Sequence, residues 1–403
     1  MVSVPWSQRT EAGAALDAKR NGEVATERAA GADGQTLRAN AWAATMAGWE
    51  DGTGLVHAHS SAGAAIAAGI DFDRPAREAA QEALNPAATR ADGGGRRARP
   101  EPEDPHRTCF EKDRDRIVHS AAFRRLAGKT QVFIFPRDHQ RTRLTHALEV
   151  AQVARSIAKR LRLNEELTEA IALGHDCGHG PGGHASEDAL AVFMPGGYDH
   201  ATIGADRVLA RLNLCQQTLD GVRNHSWSRP APGTPEGMVV SWADRIAYCA
   251  HDLEDAAGAG IVDTDELPAL VREAAGTTRS GQLDFFINAM VSCARETGNV
   301  AMRAPDAEVL GALRAFNYER IYLRPESRRQ SQQVINVLRL LVEHLSSNPE
   351  HARRLIGFEA GISVEDLVAE VVIYVGGMTD RYAFDTAREL VGLDASAIPE
   401  GIA

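Results

Sequence analysis

The chain has 403 residues, 44% hydrophobic and 25% charged, which is enough apolar content to bury a sizeable core. A formal charge of −11 excludes the broadly basic surface of a non-specific nucleic-acid binder, while leaving room for a local basic pocket that takes a nucleotide. No apolar run approaches the roughly 18–20 residues of a membrane helix, the opening MVSVPWSQRTEAG is no secretory signal, and five scattered cysteines without a CxxC pair exclude a disulfide framework and fit a reducing cytoplasm.

Residues 1–105 are rich in Ala, Gly, Arg and Asp and poor in large aliphatic side chains. The run from Ala91 to Pro102 has a linker composition, so this region is predicted to be a mostly disordered leader with short helices near 40–48 and 75–84. The basic run Arg96–Arg99 is read as a solvated tail. From about residue 107 the pattern becomes helical. Leu144, Leu148, Ala151, Ile157 and Leu161 recur at three- and four-residue steps, followed by Leu167, Ile171 and Leu173 with Asn164 as the cap. Later stripes run through Val334, Leu338, Leu341 and Leu345, and through Leu367, Val371 and Val372. The best strand candidate is the short segment Gln131–Phe135.

The densest chemistry lies in Gly174-His175-Asp176-Cys177-Gly178-His179-Gly180-Pro181-Gly182-Gly183-His184-Ala185-Ser186-Glu187. A His beside an Asp at a helix C-terminus offers one imidazole nitrogen and one carboxylate oxygen to a single point, a pair suited to Mn²⁺, Fe²⁺, Mg²⁺ or Zn²⁺. The glycines that follow let the backbone turn back over that point. Partners must come from other helices. His146 lies on an amphipathic helix, one turn after Arg143 on the same face. Asp244, Tyr248 and Asp252 are spaced i, i+4, i+8 and line one face of another helix, an unusual stripe for a helix that only packs. Taken singly, each has a plain structural reading: His146 as a packing histidine, Arg143 as an ion-pair partner, Tyr248 and Asp252 as a core hydrogen bond. Cys177 reads as a small buried hydrophobe, the Gly377–Tyr382 segment as a helix start capped by Thr379, and His225 as architectural.

The ordered set His146, His175–Asp176, Asp244 resembles the HD superfamily of metal-dependent phosphohydrolases. Longer motifs narrow the resemblance: Phe123-Arg124-Arg125-Leu126-Ala127-Gly128-Lys129-Thr130-Gln131-Val132, Arg143-Leu144-Thr145-His146, HDxGH…GHxxE, and Ala243-Asp244-x-Ile246-Ala247-Tyr248. With Arg320-Ile321-Tyr322 and Gly377-Met378-Thr379-Asp380-Arg381-Tyr382, they resemble deoxynucleoside triphosphate triphosphohydrolases over about residues 105–395. The resemblance implies an all-α HD-domain fold, with a core at 106–260 and a C-terminal helical region at 261–403 behind the leader. It implies a divalent metal on His146, His175, Asp176 and Asp244, His184 as the catalytic acid oriented by Glu187, and His179 and His200 on the phosphate side. Arg143 would clamp phosphate, Tyr248 and Asp252 would face the sugar, and Gln131 and Val132 would crowd the deoxyribose. The implied reaction yields a deoxynucleoside and tripolyphosphate, in a cytoplasmic homo-oligomer open to an activating nucleotide.

One departure stands out. Where many members carry an aromatic residue between the glycine-flanked histidines, this chain has Gly180-Pro181-Gly182-Gly183, which predicts a looser loop before His184. Two rival functions follow: an HD-type phosphodiesterase or 5′-nucleotidase, and a weakly active nucleotide-sensing or single-strand-binding protein.

Overall fold

The computed structural model describes residues 34–46, 48–60, 64–137, 139–358 and 361–401. The chain divides into two units, one through Asp71 and one from Phe72 onward. In the first, helix α1 (Gly34–Thr45) precedes a two-stranded antiparallel ladder, β1 (Trp49–Glu50) and β2 (Val56–His57), with Trp49 opposite His57. The expected helix at 40–48 is therefore a longer one beginning earlier. Residues 1–33 of the predicted leader lie outside the described residues.

The second unit is helical and holds both hydrophobic clusters of the chain's described residues. It begins earlier than the sequence suggests. Helix α2 (Arg74–Ala80) starts at an Asp73 cap whose side chain accepts from the Ala76 amide, and the segment after it is folded, not linker. Arg97, assigned to a solvated basic tail, has a side chain only 1% exposed; it donates to Asp113 at 2.6 Å and to the Asn213 carbonyl. Thr89 donates from both its amide and its hydroxyl to the buried Glu236 carboxylate. Composition misleads here because small and polar residues pack well wherever buried partners wait for them.

Helices α3 (Cys109–His119) and α4 (Ala121–Arg125) lead to the bend at 131–135. This bend is not the expected strand; the ladder contact beside it is a single bridge between Thr130 and Thr142. The core is built from α5 (Arg143–Leu161), α6 (Glu165–Gly174) and α10 (Pro235–Gly258), which pack on one another, with α3 against α6. Asn164 caps α6 as predicted, its side chain accepting from the Leu167 amide at 3.0 Å. The buried stripe of α5 is shifted from the predicted one. Ala147, Val150, Ala154, Ile157 and Ala158 are inside, whereas Leu148 is 51% exposed. Small residues let α6 and α10 come close, and the leucines are displaced to the flank.

Short helices α7 (Ala185–Leu190), α8 (His200–Ile203) and α9 (Gln216–Asn224) lie between α6 and α10 in the chain. Beyond α10 come α11 (Ala269–Ala275), α12 (Arg279–Thr297) and α13 (Ala304–Asn317), then α14 (Pro325–Ser347), α15 (Pro349–Ile356), α16 (Val364–Gly376) and α17 (Asp380–Val391). The predicted stripe of α14 is buried throughout, with Val334, Leu338, Leu341 and Leu345 fully covered, and it packs against α7, α16 and α17. No helix among the described residues is long and apolar enough to cross a membrane.

Candidate active site

Three elements deliver the metal-type side chains to one place. α5 presents Arg143 and His146 from its first turn, where the Arg143 amide donates to the Lys129 carbonyl and ties the helix start to the preceding loop. α6 ends at Gly174, whose lack of a side chain admits Leu209, Val222 and Ile117 against the backbone. His175 therefore leaves the helix end fully buried, and its Nδ1 donates to the Ala172 carbonyl at 2.6 Å. That bond leaves Nε2 as the nitrogen that can give a lone pair to a cation once its proton is displaced. α10 brings in Asp244.

His146 Nε2 lies 3.1 Å and His175 Nε2 3.6 Å from Asp244 Oδ1, and His175 Nε2 lies 3.4 Å from Asp176 Oδ1. Bonds of about 2.1 Å place neighbouring ligands of one cation about 3 Å apart, so these separations suit a divalent metal. The buried Nε2 of His175 has no hydrogen-bond partner, as a nitrogen meant for a metal requires. The donors fall into overlapping sets and not one tight quartet. His146, His175 and Asp244 form one; His175, Asp176 and His225 another; Asp176, His179 and His200 a third. Asp176 is drawn aside by Arg143, whose Nη1 donates to Oδ2 at 2.6 Å. Burial alone would lower the pKa of His175, but the charges of Asp176 and Asp244 prevail and raise it to about 9. The carboxylates themselves stay well below the usual range despite burial, Asp176 chiefly through Arg143 and Asp244 through His146 and His175.

On the far side of Asp176 stand the loop histidines. His179 Nε2 is 3.2 Å from Asp176 Oδ1, and its ring stacks on His200 with centroids 3.7 Å apart. His184 reaches solvent, its ring centroid 5.0 Å from that of His179. Glu187, which the resemblance pairs with His184, is bonded through Oε1 to Nδ1 of His200, and it also accepts from the His200 amide at 3.2 Å. In this structure its hydrogen-bond partner is thus His200, because α8 brings that ring over the start of α7. His225, read from sequence as architectural, stands with its Nε2 3.2 Å from that of His200 and its ring 5.0 Å from that of His175.

Tyr248 and Asp252 continue down α10 from Asp244. The Tyr248 hydroxyl accepts from Arg314 Nε at 2.8 Å, and Asp252 Oδ2 accepts from the Tyr322 hydroxyl at 2.5 Å. The other oxygen of Asp252 is buried without a partner, and burial pushes its pKa up to about 7. Gln131 and Val132 are half-buried in the bend after Thr130, and Gln131 Oε1 likewise lacks a partner. Arg314 and Tyr322 had no role assigned from sequence; the Arg320-Ile321-Tyr322 motif was a signal for Tyr322, and nothing marked Arg314.

The glycine loop before His184 is held by polar bonds. Asp380, at the start of α17, accepts from the Gly182 amide at 2.9 Å, from the Thr130 amide at 2.9 Å and from the Thr130 hydroxyl at 2.5 Å. Lys129, fully buried, donates to the carbonyls of His179 and Gly376. Gly182 and Gly183 adopt φ of 73° and 65°, a region that excludes most side chains. The loop predicted to be loose for want of an aromatic residue is clamped from the C-terminal helices, where Thr379 caps α17 as expected.

The HD domain family matches residues 143–249, and the family described as phosphohydrolase-associated domain matches residues 300–389. Fold and site together define an HD-domain phosphohydrolase. Two proteins named deoxyguanosinetriphosphate triphosphohydrolase-like protein, from Caldanaerobacter subterraneus subsp. tengcongensis and Clostridium perfringens, are 39% and 40% identical to this chain over 315 residues. The alignments cover 76% and 74% of this chain and 92% and 91% of those proteins. A third of the same name, from Jannaschia sp., is 36% identical over 381 residues, covering 77% of this chain and 94% of its own. The chain belongs to this family of deoxyguanosinetriphosphate triphosphohydrolase-like proteins.

Proposed function

We propose that this phosphohydrolase cleaves deoxynucleoside triphosphates at the α-phosphate ester, releasing the deoxynucleoside and tripolyphosphate. The observation that carries the reading is the convergence of His146, His175 and Asp244 within 3.1–3.6 Å contacts beside a buried arginine already bonded to Asp176. A divalent metal held there would lower the pKa of bound water and neutralise charge on the phosphate under attack. Arg143 is the phosphate clamp: its fork matches two oxygens, and an arriving polyphosphate would compete with Asp176 for it. His184 would protonate the leaving 5′-oxygen, a role supported by its exposed ring beside His179. Its pKa is pushed down to about 4, by the surrounding protein first and by the charge of Arg143 next, although part of the residue stays open to solvent. A bound polyphosphate would offset Arg143 and draw a proton onto the ring. Asp252, with one oxygen unpartnered, is suited to accept from the sugar 3′-hydroxyl, while Tyr248, Gln131 and Val132 shape the sugar pocket.

The test is to incubate the metal-reconstituted protein with each dNTP and each NTP and to separate the products chromatographically. Deoxynucleoside and tripolyphosphate are expected. Consumption of no triphosphate under Mn²⁺, Mg²⁺ or Co²⁺ would overturn the reading, and release of orthophosphate from monophosphates would favour a 5′-nucleotidase instead.

A further inference from the structure

Cys109 and Cys215 stand 106 residues apart in the chain, yet both are buried in one cluster and their thiols share a hydrogen bond. A side-chain carbon placed on Gly95 would lie 2.4 Å from Cys215 Sγ and 3.2 Å from Cys109 Sγ, so both sulfurs press against this one residue. Gly95 has a φ of 74°, and its amide donates to the Asp92 carbonyl at 2.8 Å. The Gly94 carbonyl accepts from Arg97 Nε at 2.7 Å, which pins the same turn. A β-carbon has no room there. Because Gly95 is itself half-buried, a single residue without a side chain separates the two sulfurs from solvent. The other cysteines are placed differently. Cys177 Sγ rests on the Leu173 carbonyl and Cys293 Sγ on the Thr297 hydroxyl, each at 3.9 Å, and burial pushes the Cys249 thiol up.

The two sulfurs are also unequal. Cys109 is the first residue of α3, at a helix N-terminus where the backbone dipole favours a thiolate. Its sulfur accepts from the Cys215 thiol, and against the opposing effect of burial this bond, the Asp92 amide and the charge of Arg97 hold it below the ordinary thiol range. Cys215, the donor in that bond, is pushed up. We propose that Cys109 and Cys215 are a redox-active pair, oxidised to a disulfide by a hydroperoxide and restored by thiols. The Cys109 thiolate attacks one peroxide oxygen; an S–O bond forms as the O–O bond breaks, and the departing hydroxide takes up the proton that Cys109 has lost. Cys215 then attacks the Cys109 sulfur; the S–S bond forms as the S–O bond breaks, and the second hydroxide leaves as water with the Cys215 proton. The thiols are oxidised and the peroxide is reduced to water. The new bond ties the start of α3 to the residue before α9, and in the unfolded chain it closes a loop of more than a hundred residues.

The test treats the full-length protein with hydrogen peroxide, alkylates the remaining thiols, and combines a thiol count in denaturant with mass mapping of proteolytic peptides. The wild type should lose two of its five thiols, yield a peptide linking Cys109 to Cys215, and regain all five with dithiothreitol. Its thermal midpoint should rise by about 5 °C on oxidation, while a non-reducing gel still shows the mass of one chain. Cys215→Ser should give no linked peptide and leave Cys109 as a sulfenic acid that dimedone traps, whereas Cys109→Ser should give neither. The wild-type peptide map stands whether or not these variants fold. Survival of all five thiols, or their loss to linkages other than Cys109–Cys215, overturns the pair. The thiol count needs neither metal nor hydrolysis, so its failure leaves the proposed phosphohydrolase activity untouched.

Discussion

His175, as a metal ligand, would couple metal, pH and stability in one side chain. Its pKa, raised to about 9 by the charges of Asp176 and Asp244, means that near neutrality the metal-free ring nitrogen holds a proton that a cation must displace. Metal affinity should therefore rise about tenfold per pH unit between about pH 7 and 9, as one proton is released, and then level off; calorimetric titration in buffers of different ionisation heat would measure it. The linkage to stability has the opposite sign. A pKa raised on folding from 6.5 stabilises the metal-free protein fully below pH 6.5, and that contribution is lost as pH rises through about 9. Thermal melts of the chelated protein should record a falling midpoint across this window. Asp244→Asn removes the carboxylate that faces both His146 and His175, and should lower bound metal and hydrolysis together. His184→Ala, by contrast, should spare metal content and lower turnover by about 10²-fold or more, as expected for a lost general acid.

Among the elements, the decisive one is the loop from Gly180 to Gly183, which owes its shape to a helix far along the chain. Asp380 on α17 accepts three hydrogen bonds from Thr130 and Gly182, and Lys129 joins the carbonyls of His179 and Gly376. The C-terminal region thereby helps to hold the loop of the candidate site. Asp380→Ala leaves buried donors unpaired and should cost about 2 kcal/mol. Displacing His184 by a fraction of an ångström should also cut kcat by about tenfold or more with metal content unchanged. Loss of metal alongside activity would show that the clamp acts on the ligands and not on the loop. The motifs announced that these residues matter, but not how: nothing in the local pattern of Gly377–Tyr382 says which distant amide its aspartate will meet.

At the scale of the molecule, the second unit depends on a segment whose composition reads as linker. Arg97 and Asp113 are paired with almost no exposure, and Asp113 also accepts from the Cys215 amide and the Thr218 hydroxyl. Arg97→Met leaves that carboxylate without its cation and should destabilise by about 3 kcal/mol, read from denaturant unfolding. A chain starting at Phe72 should fold with both hydrophobic clusters intact, whereas one starting at His106 loses the Arg97 and Thr89 bonds and should unfold at markedly lower denaturant.

Local chemistry written into the chain determined the helices, their caps and the kinds of side chain at the site. The periods of α5, α6 and α14, the Asn164 and Thr379 caps, and the His-Asp pair at the end of α6 need only neighbours in sequence to be recognised. Tertiary structure decided which groups face one another. The shift of the buried stripe on α5 follows from the close approach of α6 and α10, and the burial of Arg97 from a waiting Asp113. Only the folding of α8 and α9 toward α6 set Glu187 on His200 and His225 opposite it, because partner choice depends on distances that no spacing along the chain encodes.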